Sequence, residues 1–283
     1  MEKIRRNERM SAMMKILSDS PNRIFTLNTF CEMFGSAKST MSEDIDILRA
    51  AVSAFGLGEM ETVTGAAGGV RYRAKVRPSD ALATITEICE ALSGEERLLP
   101  GGFLYYSDIL SDPQLVRKMG AILAGEYYAQ NPDFVLTMET KGIPVALETA
   151  NALGVPLVIA RHSSKVYEGS AVNISYVSGT SGSIENMSLS RRAVKANQRA
   201  LIVDDFLKGG GTAKGMSDLM REFNVSVVGM AFVMETLGPE KKRVSQQKSL
   251  MLLDIGSEEG APAVVRPADW LVDAAEKEAQ ANA

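Results

Sequence analysis

The chain has 283 residues, 45% of them hydrophobic, with 31 Lys and Arg against 35 Asp and Glu, which is the profile of a globular protein long enough for two domains. No run approaches the ~18 apolar residues of a membrane span, and "MEKIRRNERM" is charged with no apolar stretch behind it, so no membrane partner and no secretory signal are expected. Residues 1–75 hold 11 Lys and Arg against 9 Asp and Glu, so the acid excess lies in the remainder and the head is the expected partner of a polyanion.

From the N-terminus, Glu2 to Leu17 places Ile4, Met10, Met13, Met14 and Leu17 at helical spacing, and Ser18-Asp19-Ser20-Pro21 stops that helix. "LNTFCEMF" (27–34) is a short amphipathic segment closed by Gly35. In "SAKSTMSEDIDILRAAVSAFG", Ser36 and Ser39 are candidate N-caps, while Met41, Ile45, Leu48 and Val52 recur on one face. Two helices joined near a glycine describe a helix-turn-helix. The second opens with Ser36, Lys38, Ser39 and Thr40, whose hydroxyls and single cation suit phosphates and base edges. "EMETVTGAAGGVRYRAKV" (59–76) reads as two alternating strands around a glycine-rich turn. Arg71, Arg73 and Lys75 share a parity and project from one face of the second strand. A helix-turn-helix followed by such a hairpin is a winged helix. The strand cations alone read equally well as a solvated face. The helix pair, with Arg5 and Arg6 in front, favours double-stranded DNA as the partner of residues 1–76.

Residues 77–283 form the second expected domain. Ser79 or Asp80 caps a helix over 81–92, and Pro113 opens another to about residue 130. Then "FVLTM" (134–138), a helix over 143–153, "PLVIA" (156–160), a polar stretch (161–192), "RALIVDD" (199–205), a helix over 212–223 and "VSVVGMAFVM" (225–234) alternate. Near-continuous apolar strands between helices imply an α/β fold with a parallel sheet covered on both faces. Ligands of such sheets bind at the carboxyl ends of strands. Two distant cysteines, Cys31 and Cys89, offer no zinc spacing and are expected as unpaired thiols in the cytoplasm. The single histidine, His162, rules out catalysis that needs two and reads as a surface or loop residue. The segment after Trp270 reads as a helix that frays.

The motif that carries chemistry is "LIVDDFLKGGGT" (201–212). Three glycines let backbone N–H groups converge on an anion, Thr212 adds a hydroxyl, and the helix starting there points its positive end inward. Asp204 and Asp205 repel a second phosphate but accept hydrogen bonds from a vicinal diol. Together these features describe a ribose 5-phosphate site. Neither the Walker A pattern nor the dinucleotide fingerprint fits the glycines. A second strand end, "METKGIPVA", puts Lys141 and Gly142 where another anion can bind, with Arg161, Lys165, Arg191 and Lys208 as surrounding charges. The polar stretch 161–192 is long enough to cover a ligand.

Residues 201–212 resemble the phosphoribosylpyrophosphate (PRPP) motif of type I phosphoribosyltransferases, and 139–146 resemble their pyrophosphate loop. The resemblance implies that Asp204 and Asp205 hold ribose hydroxyls. It also implies that Phe206, Lys208, Gly209, Gly210, Gly211 and Thr212 surround the 5′-phosphate. Thr140, Lys141 and Gly142 would face a pyrophosphate bridged by Mg²⁺. Adenine and xanthine transferases carry Ala-Thr or similar where this chain has Lys208-Gly209, which argues against turnover. Over nearly its whole length, through "SAKSTMSEDI", "TGAAGGVRY", "METKGIPVA", "RHSSKVYEGS" and "VDDFLKGGGT", the chain resembles the purine operon repressors of Gram-positive bacteria. That resemblance implies a homodimeric regulator of purine synthesis and transport genes. It would sense PRPP, or competing phosphorylated nucleotides, without catalysis and with no metal site of its own. An active purine phosphoribosyltransferase with a regulatory head, and a PRPP-binding module whose head binds protein, stay open on the residues alone.

Overall fold

The computed structural model describes residues 4–65, 68–94, 97–99, 103–164, 169–178, 182–239, 241–255 and 263–282. The chain divides into two units, Met1–Arg77 with Asn151–Gly154, and Pro78–Ala150 with Val155–Ala283. Among the described residues no helix is long and apolar enough to cross a membrane.

The first unit runs α1 (Arg6–Asp19), α2 (Leu27–Phe34), α3 (Lys38–Ala54), then antiparallel β1 (Glu59–Val63) and β2 (Gly69–Arg73). Thr26 caps α2 by accepting the Thr29 N–H at 3.2 Å, and left-handed Gly35 (φ 60°) ends it. The cap of α3 is Ala37 rather than Ser36 or Ser39. The Ser36 hydroxyl instead donates back to the Phe34 carbonyl at 3.2 Å. Met13, Leu17, Phe30 and Met41 meet in a closed core. Burying each such side chain contributes about 1.5–3 kcal/mol. Phe25 and Val70 exchange both backbone hydrogen bonds at 2.9 Å, which ties the segment before α2 to the hairpin. A winged helix-turn-helix results, as the sequence predicts.

One polar cluster sits inside this unit. Asp44 on α3 is wholly buried and accepts from Arg6 Nε at 2.9 Å and Arg9 Nε at 2.6 Å. Arg9 is itself buried, so α1 and α3 are joined by a desolvated ion pair with a second guanidinium at its rim.

The second unit opens with α4 (Pro78–Leu92), which starts three residues before the expected 81 because Pro78 takes the first turn. Then come β3 (Leu98–Leu99), β4 (Phe103–Leu104) and α5 (Ser107–Ser111), all too short to leave a periodic signature. Asp112 caps α6 (Pro113–Gly125), accepting the N–H groups of Gln114 and Leu115 at 2.7 and 3.1 Å. That helix ends at Gly125, and a single 3₁₀ turn follows at Tyr128–Gln130. β5 (Phe134–Met138), α7 (Ile143–Leu153) and β6 (Leu157–Ala160) lie where the alternation puts them. The polar stretch folds into an antiparallel hairpin, β7 (Ala171–Val177) and β8 (Ile184–Ser190). β9 (Arg199–Leu207), α8 (Gly211–Glu222) and β10 (Ser226–Thr236) follow, then β11 (Gln247–Ile255), β12 (Ala263–Pro267) and α9 (Asp269–Ala281). The main sheet has the order β12-β11-β10-β9-β5-β6 and is parallel except for β12. The last helix is better held than its sequence suggests. Leu271 is buried and Trp270 Nε1 donates to the Ser249 carbonyl at 2.7 Å. Cys31 and Cys89 are free thiols, and burial pushes Cys89 up to about 12.

Replacing Asp44 with Ala strands the Arg9 guanidinium without its partner. The expected loss is about 3–5 kcal/mol from the first unit, because a broken buried pair leaves an uncompensated charge. Urea denaturation followed by a probe placed in that unit measures it.

Candidate functional site

β9 lies between β5 and β10, so its carboxyl end opens near the middle of the sheet. Leu201, Ile202 and Val203 are fully buried, and the strand then carries Asp204 and Asp205 onward to Leu207. Alternation along a strand sends successive side chains apart, and the two acids keep different company. Asp204 is buried, its Oδ1 accepts the Asp205 N–H at 3.0 Å, and it lies against Gly142. A Cβ on Gly142 would stand 2.0 Å from Asp204 Oδ1 and 2.7 Å from Thr137 Oγ1. Position 142 is therefore a glycine because the carboxylate occupies the space of a side chain. Burial first, and then the neighbouring Asp205 charge, raise the Asp204 carboxyl well above the usual carboxylate range.

Asp205 faces a residue the sequence did not single out. The Tyr106 hydroxyl donates to Asp205 Oδ2 at 2.6 Å. The Tyr106 ring stacks on Phe206 with centroids 6.0 Å apart, and Lys141 Nζ stands 5.0 Å from its centre. Burial and the Asp205 charge raise this phenol above its ordinary range, so it stays a donor. Tyr106 precedes Asp205 by 99 residues, and no local pattern joins them.

Beyond β9 the chain turns through Gly209 and Gly210. Gly210 is left-handed (φ 77°) and caps α8, whose first backbone bond runs from the Lys214 N–H to the Gly210 carbonyl at 2.9 Å. The N–H groups of residues 211–213 therefore have no acceptor within the helix and point outward as an anion site. The concavity there is lined by Asp204, Phe206, Leu207, Lys208, Gly209–Gly211, Thr212, Ala213 and Phe232. Asp204 thus belongs to the cradle, whereas Asp205 looks to Tyr106. The Arg243 N–H donates to the Gly209 carbonyl, and its guanidinium donates to the Val177 carbonyl, both at 3.1 Å. This single residue links the cradle to the end of the β7–β8 hairpin.

At the end of β5 a cis peptide joins Glu139 to Thr140. Glu139 accepts the His162 N–H at 2.7 Å and pairs with Arg161 at 3.2 Å. Arg161 therefore reaches the site with its charge already balanced. His162 is exposed, as expected. Thr140, Lys141 and Gly142 fall in the turn leading into α7. Lys165 lies outside the described residues, and Arg191 and Arg192 are exposed in the turn after β8. Among the described residues no group of three or more His, Cys, Asp or Glu forms a metal cage. A Mg²⁺ brought in by a phosphorylated ligand would take most of its oxygens from phosphate and water.

In the first unit, Lys38 and Ser39 are exposed at the start of α3, with Thr40 and Ser36 half-buried beside them. Of these, Lys38 borders a concavity closed by the β1–β2 hairpin, where Arg49 donates to Asp46 and to Thr62 Oγ1, each at 2.6 Å. The Arg5 side chain is exposed, whereas Arg6 is tied to Asp44 and lies 3.6 Å from Glu43. Strand cations do share a face, but β1 answers them. Arg71 and Arg73 pair with Glu61 at 2.8 and 3.0 Å, and Lys75 pairs with Glu59 at 3.2 Å. Both arginines hold the Glu61 carboxyl below its ordinary range.

A winged head and a sheet carrying an acid pair beside an anion cradle define a phosphoribosyltransferase-type domain fused to a DNA-binding-type head. The family model described as "Bacterial purine repressor, N-terminal" matches residues 5–74, and "Phosphoribosyl transferase domain" matches 106–266. A probable purine biosynthesis transcriptional regulator of Streptococcus pneumoniae is 44% identical, covering 88% of this chain and 91% of that one. The purine biosynthesis transcriptional repressor of Bacillus subtilis is 41% identical over 89% and 88%, and the transcriptional activator of Lactococcus lactis 40% over 89% and 93%. Among solved structures, adenine phosphoribosyltransferase from Rhodothermus marinus matches with a TM-score of 0.52 at 23% identity, over 60% of this chain and 99% of that one, a likeness of fold. The chain belongs to the bacterial purine repressor family of transcriptional regulators.

Asp204 carries its charge at a cost when no ligand is present. Its folded value is raised above the unfolded one, so its favourable contribution is full at low pH and fades as pH rises through the raised value. Asp204→Asn is therefore expected to raise the melting temperature of the ligand-free protein at neutral pH. The gain should shrink on acidification. Thermal unfolding of both proteins across pH checks it.

Proposed function

We propose that this protein is a DNA-binding repressor of purine synthesis and transport genes that uses its phosphoribosyltransferase-type domain to sense PRPP rather than to turn it over. The observation that carries the reading is the placement of Asp204 inside the glycine cradle of 209–212, with Asp205 one residue along the same strand end. A phosphate on the 211–213 N–H groups leaves a ribose diol within the reach of carboxylate acceptors. Lys141 and Gly142 then border the pyrophosphate, whose charge a Mg²⁺ arriving with it would offset. Lys208 adds a cation at the phosphate, and Arg161 stands behind with Glu139.

In this reading PRPP accumulates when purines are short, binds, and weakens operator affinity. Coupling of ~1–3 kcal/mol between the two sites gives a roughly 5–150-fold response. A homodimer places two heads on successive half-sites. Phosphorylated purine nucleotides carry the same phosphoribosyl group and compete for the cradle.

Mobility shift with a purine operator tests this. Mg²⁺-PRPP should lower wild-type affinity by at least about fivefold, and Asp204→Ala/Asp205→Ala should bind the operator yet ignore PRPP. A double variant that still responds refutes the sensor. The active-transferase reading draws on the fold it shares with adenine phosphoribosyltransferase. Nucleotide formed from PRPP, Mg²⁺ and a purine base would establish it.

The head makes a separate prediction. Lys38 is exposed at the N-terminus of α3. Lys38→Ala should lower the slope of log affinity against log salt by about 0.9 for one lost phosphate contact. Arg73→Ala should change it less, because Glu61 already balances that charge.

A further inference from the structure

We propose that Tyr106 is a built-in occupant of the sugar end of this site, its hydroxyl holding the Asp205 oxygen that a ribose hydroxyl must take and its ring holding the ammonium of Lys141, the cation of the pyrophosphate loop. The inference rests on reading 204–212 as a PRPP site and adds a threshold to it.

Three contacts carry it, each to a different residue of the proposed site. The phenol-to-carboxylate distance of 2.6 Å is in the range of a charge-assisted hydrogen bond. The ring stacks on Phe206 at 6.0 Å and 23°. Lys141 Nζ sits 5.0 Å from the ring centre, where a cation is attracted to the π face. One side chain therefore engages a diol acceptor, its neighbour and a pyrophosphate-loop cation together. It does so as a donor, which is the chemistry a sugar hydroxyl would bring.

The need for such an occupant follows from the acids themselves. Two adjacent carboxylates, one of them buried, repel each other, and a neutral donor eases that repulsion. The position of Tyr106 also lets it leave. It precedes the five-residue α5 and lies outside the main sheet. Its segment is braced separately, by Arg97 donating to both Asp108 oxygens at 2.6 and 2.8 Å. Withdrawal of the ring breaks no strand pairing. The ligand must then displace a charge-assisted bond and a cation–π contact before it closes its own. Apparent affinity falls by the fraction of protein that is open.

Calorimetry with Mg²⁺-PRPP and, separately, inorganic phosphate on wild type and Tyr106→Phe tests this. Phenylalanine keeps the ring and its stack while removing the hydroxyl, so the fold is preserved. The variant is expected to bind PRPP about tenfold tighter, the value of one charge-assisted hydrogen bond. Its phosphate affinity should be unchanged, because the hydroxyl contacts Asp205, outside the cradle, and the ring that stacks on Phe206 is retained. Operator release should shift to correspondingly lower PRPP. Equal PRPP affinity in the two proteins overturns the proposal, and weaker binding by the variant shows instead that the phenol contacts the ligand. A wild type that binds phosphate but not PRPP overturns the reading of the sugar site, and this proposal with it.

Discussion

Two carboxylates on consecutive residues of a buried strand cannot share one environment, and the neighbouring elements answer this at the end of β9. Strand alternation turns them apart. Asp204 fills the space that any side chain at position 142 would need, which joins the β5 loop to the end of β9. Asp205 takes a phenol from a segment far upstream. The cradle glycines then follow within four residues, so the acids, the anion site and the second loop form one continuous surface. Remove the acid pair and the glycine at 142, the phenol and the left-handed turn at 210 lose their common purpose.

How much of this was legible depended on how local each feature is. The alternating apolar strands and helices from β5 to β10 announce themselves by period and length, and the helix-turn-helix does so through the faces of α2 and α3. The cradle could be read because its glycines, threonine and acids sit in one run of twelve residues. Tyr106 could not, since its partnership with Asp205 exists only once β9 and the segment before α5 come together. The β7–β8 hairpin hid for another reason. Its strands alternate Ser and Asn with apolar residues and read as a polar excursion. Periodicity also reports which way Arg71 and Arg73 point but not what they meet, and the opposing Glu61 was visible only after the β1–β2 register was known.

That register changes the electrostatic picture of the head. A wing whose cations are matched by glutamates presents little net field, so attraction to a polyanion falls to the exposed side chains at the start of α3 and near the N-terminus. The exposed carboxylates Glu43 and Asp46 on α3 are likewise matched, by Arg6 and Arg49.

The bond between Asp44 and the guanidinium groups of Arg6 and Arg9 has a mechanical consequence. It rivets the first helix to the one that would enter a groove, because the Asp44 carboxylate is buried and held from α1 by two guanidinium groups. A force applied to either helix is therefore passed to the other, and the two shift as one piece rather than sliding past each other.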